Sequence, residues 1–121
     1  MAAKTLIWII DSQQWPRAYL RAELIERGLE GVGYTDLAGA VAALRLPARD
    51  RPRALVLESR DQVIETGLLD AIMRTGIPVI LLVGSVEVNE PAMKKYEWAA
   101  VMRRPVSIGA IADKVQEVIS R

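Results

Sequence analysis

The chain has 121 residues, 51% of them hydrophobic and 26% charged, which is enough for one domain with a real core, residues 1–121, and too short for two. Sixteen Lys and Arg stand against fifteen Asp and Glu, and the twelve arginines are scattered, so the balance favours neither nucleic acid nor an acidic substrate nor an anionic membrane surface. With no Cys and no His, disulfide frameworks, thiolate nucleophiles, zinc sites built on those ligands and His-based acid–base catalysis are excluded.

The amino terminus carries a charge at Lys4 but too few apolar residues before Asp11 for a signal-peptide core. The longest apolar run, 77–84, is far short of the roughly 20 residues of a spanning helix. A soluble, cytoplasmic protein is expected.

The first strand is expected over Thr5–Ile10, apolar at successive positions and therefore covered on both faces. Ser12 and Trp15-Pro16 open a helix, since proline is tolerated in a first turn. Ala18, Leu20, Ala22, Leu24 and Ile25 supply its apolar side, and Gly28 stops it. Gly31–Thr35 reads as a second strand, and Asp36 caps a helix in which Leu37, Ala40, Val41 and Leu44 recur at helical spacing. Pro47–Pro52 is a polar connection. The third strand, Arg53–Glu58, delivers a carboxylate to its carboxyl end, and Ser59 and Asp61 offer caps for a helix through Arg74 with Val63, Ile64, Leu68, Leu69 and Ile72 inward.

Gly76 and Pro78 punctuate the entry to a fourth strand through Leu82, followed by Val83-Gly84. A short helix is expected within Val86–Tyr96, beginning at Pro91. Trp98–Arg103 is the fifth strand, and Ser107 caps a last helix with a stripe of Ile108, Ile111, Ala112, Val115, Val118 and Ile119. Strict alternation of short β runs with helical patterns defines an α/β fold: a doubly wound, five-stranded parallel sheet of flavodoxin-like order 2-1-3-4-5 with five helices. In such sheets the chemistry sits at the carboxyl edge.

Five anchors in order carry a resemblance: Ile9-Ile10-Asp11 before a helix ending at Gly28; Thr35-Asp36-Leu37-Ala38-Gly39-Ala40; Arg53–Glu58; Ile77-Pro78-Val79-Ile80-Leu81; and Arg104-Pro105-Val106. Together they resemble a response-regulator receiver domain over nearly the whole chain. The resemblance implies two acidic residues after the first strand that hold Mg²⁺, a phosphorylated Asp ending the third strand, a Thr or Ser ending the fourth, and a Lys before a Pro after the fifth. Here those positions hold Asp11 and Ser12, Glu58, Val83, and Arg104 before Pro105, while the aromatic switch position holds Val101. Only Asp11 and Pro105 keep the pattern.

Each replacement has a chemical meaning. Mg²⁺ prefers carboxylate oxygens in octahedral geometry, and Ser12 removes a charge from that set. Glu58 carries its carboxylate one methylene further out, and a displacement near 1 Å can lower the rate of a positioned reaction about a hundredfold. Val83 has no hydroxyl for a phosphoryl oxygen, and Arg104 presents a planar fork suited to a carboxylate where Lys would be a point charge.

Glu58 is therefore a surviving reactive group, a built-in mimic of the phosphorylated state, or a strand-end charge paired with Arg104; the last is favoured, as a direct ion pair. Asp11 and Glu58 form a weak cation site or two carboxylates held by Arg104. Trp8 is expected in the core, and Trp15 is open between core and interface. Lys94, Tyr96, Trp98, Val101 and Arg103 form the candidate interface, with packing the alternative for the aromatics and a solvated charged face for Lys94-Lys95 with Arg103-Arg104. A nucleotide-binding site of the same fold needs a glycine-containing phosphate loop, which Asp11–Pro16 lacks, and Gly31-Val32-Gly33 precedes a strand instead of a helix.

The expectation is a non-phosphorylatable pseudo-receiver: a protein–protein interaction module in signal transduction, not an enzyme, with no cofactor and no metal. Its partner is a protein, a second copy of the chain among the candidates, and neither nucleic acid nor membrane. The alternatives are a weakly active phospho-accepting regulator with a rearranged site and a flavodoxin-like module binding a small ligand.

Overall fold

Strand β1 (Leu6–Ile10) lies between β2 (Glu30–Tyr34) and β3 (Ala54–Glu58), and β4 (Val79–Val83) and β5 (Ala100–Arg103) extend the sheet beyond β3. All four pairings are parallel, and the order β2-β1-β3-β4-β5 is the expected one. The computed structural model describes residues 4–47, 50–84 and 94–121. Among these residues the helices are α1 (Gln14–Glu26), α2 (Leu37–Ala43), α3 (Thr66–Met73) and α4 (Ile108–Ile119), four where five were expected. Most of the fifth expected helix, within 86–96, lies outside the described residues.

Alternation along the strands divides the core into two layers. Ile7, Ile9, Val56, Ile80 and Leu82 pack against Leu20 and Leu24 of α1 and Ile111, Val115 and Val118 of α4. Trp8, Ile10, Leu55, Leu57, Leu81 and Val83 face the other way, against Leu37 and Ala40 of α2 and Leu69 and Ile72 of α3. Every residue of β3 and β4 is buried, as expected for strands covered on both faces. Each such Leu, Ile or Val contributes about 1.5–3 kcal/mol of transfer free energy, so the central strands anchor the edge on which the site is built.

Helix ends follow local chemistry. Asp36 caps α2 by accepting from the Gly39 N–H at 2.8 Å, and Ser107 caps α4 by accepting from the Ala110 N–H at 3.1 Å. Gly28 ends α1 with φ +79°, and the Leu29 N–H reaches back to the Leu24 carbonyl at 2.9 Å to close the turn.

Four sequence expectations are corrected. α3 begins at Thr66, well after Ser59 and Asp61, because residues 59–62 form a turn with Asp61 at φ +59° and a Gln62 N–H to Ser59 carbonyl bond of 3.1 Å. Val63, expected inward, lies before the helix and is exposed. On α1 only Leu20 and Leu24 are buried; Ala18, Ala22 and Ile25 face solvent. The fifth strand begins at Ala100, leaving Trp98 in the approach to it.

Candidate functional site

The carboxyl ends of four strands gather at one edge of the sheet. Leu57 is in register with Ile10, Glu58 with Leu82, and Leu82 with Met102, so Asp11 follows β1 at the level of Glu58, and Val83 and Arg104 lie one and two residues further along the same edge. The Arg104 N–H donates to the Val83 carbonyl at 2.8 Å, which carries the β4–β5 ladder one residue further and fixes where the Arg104 side chain starts. The Arg104–Pro105 peptide is cis.

Glu58 is 4% exposed. Its Oε1 accepts from Arg104 Nη1 in direct charge-assisted contact, the expected ion pair, and from the Arg60 backbone N–H at 3.0 Å. Asp11 is also buried. Its Oδ1 accepts from the Gln13 N–H at 2.8 Å and lies 3.8 Å from Arg60 Nη2, so its nearest cation is Arg60. The Asp11 carbonyl accepts from Arg17 Nη1 at 2.7 Å, and the Ser12 hydroxyl donates to the Arg60 carbonyl at 3.3 Å. Val83 is fully buried and packs in the α2–α3 layer.

Arg60 is the residue that sequence reasoning missed. It contributes a backbone N–H to Glu58, a carbonyl to Ser12 and a guanidinium beside Asp11. A carboxylate accepting from the N–H two residues on is a local turn pattern, which gives Glu58 at a strand end some predictive value for Arg60. The reach of its guanidinium back to Asp11 depends on the β1–β3 pairing.

Burial pushes the Glu58 carboxyl above its ordinary range, and the charge of Asp11 adds to the rise. The Arg60 N–H, Arg104 and the Arg60 guanidinium pull it down, and burial prevails. Two carboxylates and two guanidinium groups thus form a compact, charge-balanced cluster. Beside it lies a cleft of about 460 Å³, with Leu20, Val56 and Ile111 among its apolar walls and Arg60 and Arg104 at its polar edge.

The candidate interface divides. Tyr96 and Trp98 are half-buried against the α2–α3 layer with ring centroids 6.0 Å apart, edge to face, and the Tyr96 hydroxyl donates to Asp70 Oδ1 at 2.7 Å. Lys94, Val101 and Arg103 are exposed, the latter two on the edge strand β5.

The fold is similar to that of solved response-regulator receiver domains. A response regulator receiver protein from Pseudomonas putida superposes with a TM-score of 0.79 at 21% identity, over 97% of this chain and 99% of that one. The receiver domain of NtrX from Brucella abortus gives 0.74 at 19% identity over 94% and 98%. A response regulator receiver domain from Francisella gives 0.78 at 16% over 98% of each. At these identities the likeness is one of fold. No family model matches the sequence, and no curated protein matches it.

The Mg²⁺ implied by that fold does not fit these residues. Among the described residues no three carboxylate, His or Cys side chains converge. The Asp11 oxygen is held by a backbone N–H, the Ser12 hydroxyl is turned to a carbonyl, and the Glu58 oxygen faces a guanidinium. A divalent cation placed there would meet the positive charges of Arg60 and Arg104.

Proposed function

We propose that the chain is a pseudo-receiver, a signalling domain that keeps the receiver fold, accepts no phosphoryl group and acts by binding a protein partner. The observation that carries this reading is the closed Glu58–Arg104 contact, reinforced by the Arg60 N–H. Transfer from a phosphoryl donor needs a free carboxylate oxygen in line to accept the group, a cation to gather the phosphoryl oxygens and a hydroxyl to hydrogen-bond one of them. Here Oε1 of the carboxylate is engaged by Arg104 and the Arg60 N–H, guanidinium groups stand where a cation would, and Val83 is a buried hydrocarbon. The pair acts as an internal substitute for the switch, holding the β3–β5 edge in one arrangement. Nothing at Val83 or Val101 gives a phosphoryl group a differential contact with a second state. No catalysis and no cofactor belong to this reading. The partner engages the β5 edge, where Val101 and Arg103 are exposed beside Tyr96 and Trp98.

Incubation with Mg²⁺ and acetyl phosphate, or with beryllofluoride, is expected to leave intact mass and amide resonances unchanged. A stable gain of one phosphoryl group on Glu58 or Asp11 would make the domain a working phospho-acceptor and overturn the proposal.

A further inference from the structure

The outer face of α1 carries a cluster of exposed apolar residues among its polar ones. Trp15 is 64% exposed, Tyr19 60% and Ile25 49%, and Ala18 and Ala22 lie exposed among them. Three rows run along this face at four-residue spacing: Trp15 and Tyr19, then Ala18 and Ala22, then Arg17 and Arg21. The aromatic row is a ridge, its two rings stacked with centroids 6.2 Å apart and planes inclined by 29°. Next to it, the alanine row is low.

The alanines border a groove of about 490 Å³ between α1 and the edge strand β2, with Gln14, Arg17, Arg21, Ile25 and Gly33 completing its lining. Its basic wall is held in place. Arg17 donates to the Asp11 carbonyl, and the stems of Arg17 and Arg21 lie on Gly33 and Gly31, where an added Cβ would stand 2.8 Å from Arg17 Cδ and 3.1 Å from Arg21 Cγ. Gly31 and Gly33 thus let two arginine stems cover the sheet edge.

We propose that this face is a self-association site whose occupant is the α1 helix of a second copy of the chain. A ridge and a groove side by side on one surface are what a two-fold contact requires, because each copy offers the knob that the other receives. Interdigitation of four-residue ridges is the commonest mode of helix crossing, and the two small alanines permit close approach at the crossing point. Trp15 and Tyr19 of each copy enter the groove of the other, with their rings against Arg17 and Arg21, a cation–π match of aromatic to guanidinium. A helix of 13 residues is about 20 Å long, so the contact buries well under the roughly 800 Å² per partner of a standard interface. The dimer is therefore weak and dependent on concentration.

Sedimentation equilibrium and amide spectra of the full chain, from micromolar to millimolar concentration, test the proposal. Reversible dimerisation with shifts confined to α1 and β2 is expected. Ala22→Arg, at an exposed helical position, should weaken it about tenfold or more by filling the groove, and Trp15→Ala should do so by removing the ridge. Circular dichroism and the unfolding midpoint verify that both variants fold, and Val101→Asp on β5 should leave the dimer unchanged. A protein monomeric throughout, or an association untouched by Ala22→Arg, overturns the inference. Neither outcome bears on whether Glu58 accepts a phosphoryl group, so this test and that of the pseudo-receiver reading fail separately.

Discussion

Replacing Arg104 by Met keeps most of the side-chain stem and removes the cation, leaving the Glu58 carboxylate buried with only the Arg60 N–H and the more distant Arg60 charge. Two unit charges about 4 Å apart interact by about 4 kcal/mol at an effective dielectric near 20. Arg60 shares that role, and 22% of the Arg104 side chain reaches solvent, so the expected loss is about 2–3 kcal/mol at pH 7. That corresponds to a fall in Tm of roughly 10 °C for a domain of this size.

A ceiling follows from proton uptake. The carboxyl can escape its penalty by protonating, which costs no more than about 3.5 kcal/mol at pH 7 and about 1 kcal/mol at pH 5, at about 1.4 kcal/mol per pH unit above the ordinary carboxylate value. The sign is that of an acid whose folded pKa is raised: ionised Glu58 opposes folding, and the protein loses stability as pH rises from the ordinary carboxylate range through the folded value. Removing Arg104 lifts the folded value further and extends the window towards neutral pH. Urea unfolding at pH 5 and pH 7 should show the deficit of Arg104→Met shrinking in acid. Glu58→Gln, which keeps the acceptor for Arg60 and removes the buried charge, should lie within about 1 kcal/mol of the parent at pH 7. A deficit equal at both pH values, or a Glu58→Gln variant as damaged as Arg104→Met, would refute the reasoning by showing that the harm lies in lost packing or that the pair is a strong net stabiliser.

Two further outcomes are expected. Asp36→Ala removes the acceptor for the Gly39 N–H and should lower stability by about 1 kcal/mol in denaturant unfolding, with Asp36→Ser recovering most of it; no loss would mean that water caps α2 equally well. Tyr96 should titrate above the ordinary tyrosine range, through burial first and its bond to Asp70 second, and Asp70→Asn should bring it down in an NMR titration; an unmoved value would show that the hydroxyl does not depend on Asp70.

Sequence patterns that act within a few residues were sufficient on their own. The buried strands are runs of Val, Leu and Ile too continuous to face water on either side, and Asp36, Ser107 and Gly28 act on backbone groups of their own turns. Right-handed crossovers between such strands then leave few sheet orders, and 2-1-3-4-5 is the observed one. The Glu58–Arg104 pair was also legible, because parallel strands gather their carboxyl ends at one edge and Arg104 is the long basic side chain that directly follows β5 there.

What remained depended on contacts between distant segments. Helix α1 carries two apolar pairs at four-residue spacing on opposite sides, Leu20 with Leu24 and Ala18 with Ala22, and helical periodicity is satisfied by either. The sheet resolves the choice: the larger leucines fill the layer beside Ile9 and Val56, and the alanines are turned to solvent with Trp15 and Tyr19. Val63 reads as helical until the turn at Asp61 delays the helix to Thr66. Arg60 reaches Asp11 only because β1 and β3 are neighbours. Local sequence determines what each segment can form, whereas the choice of buried face and the partner of each charge are set by neighbours that chain topology alone brings near.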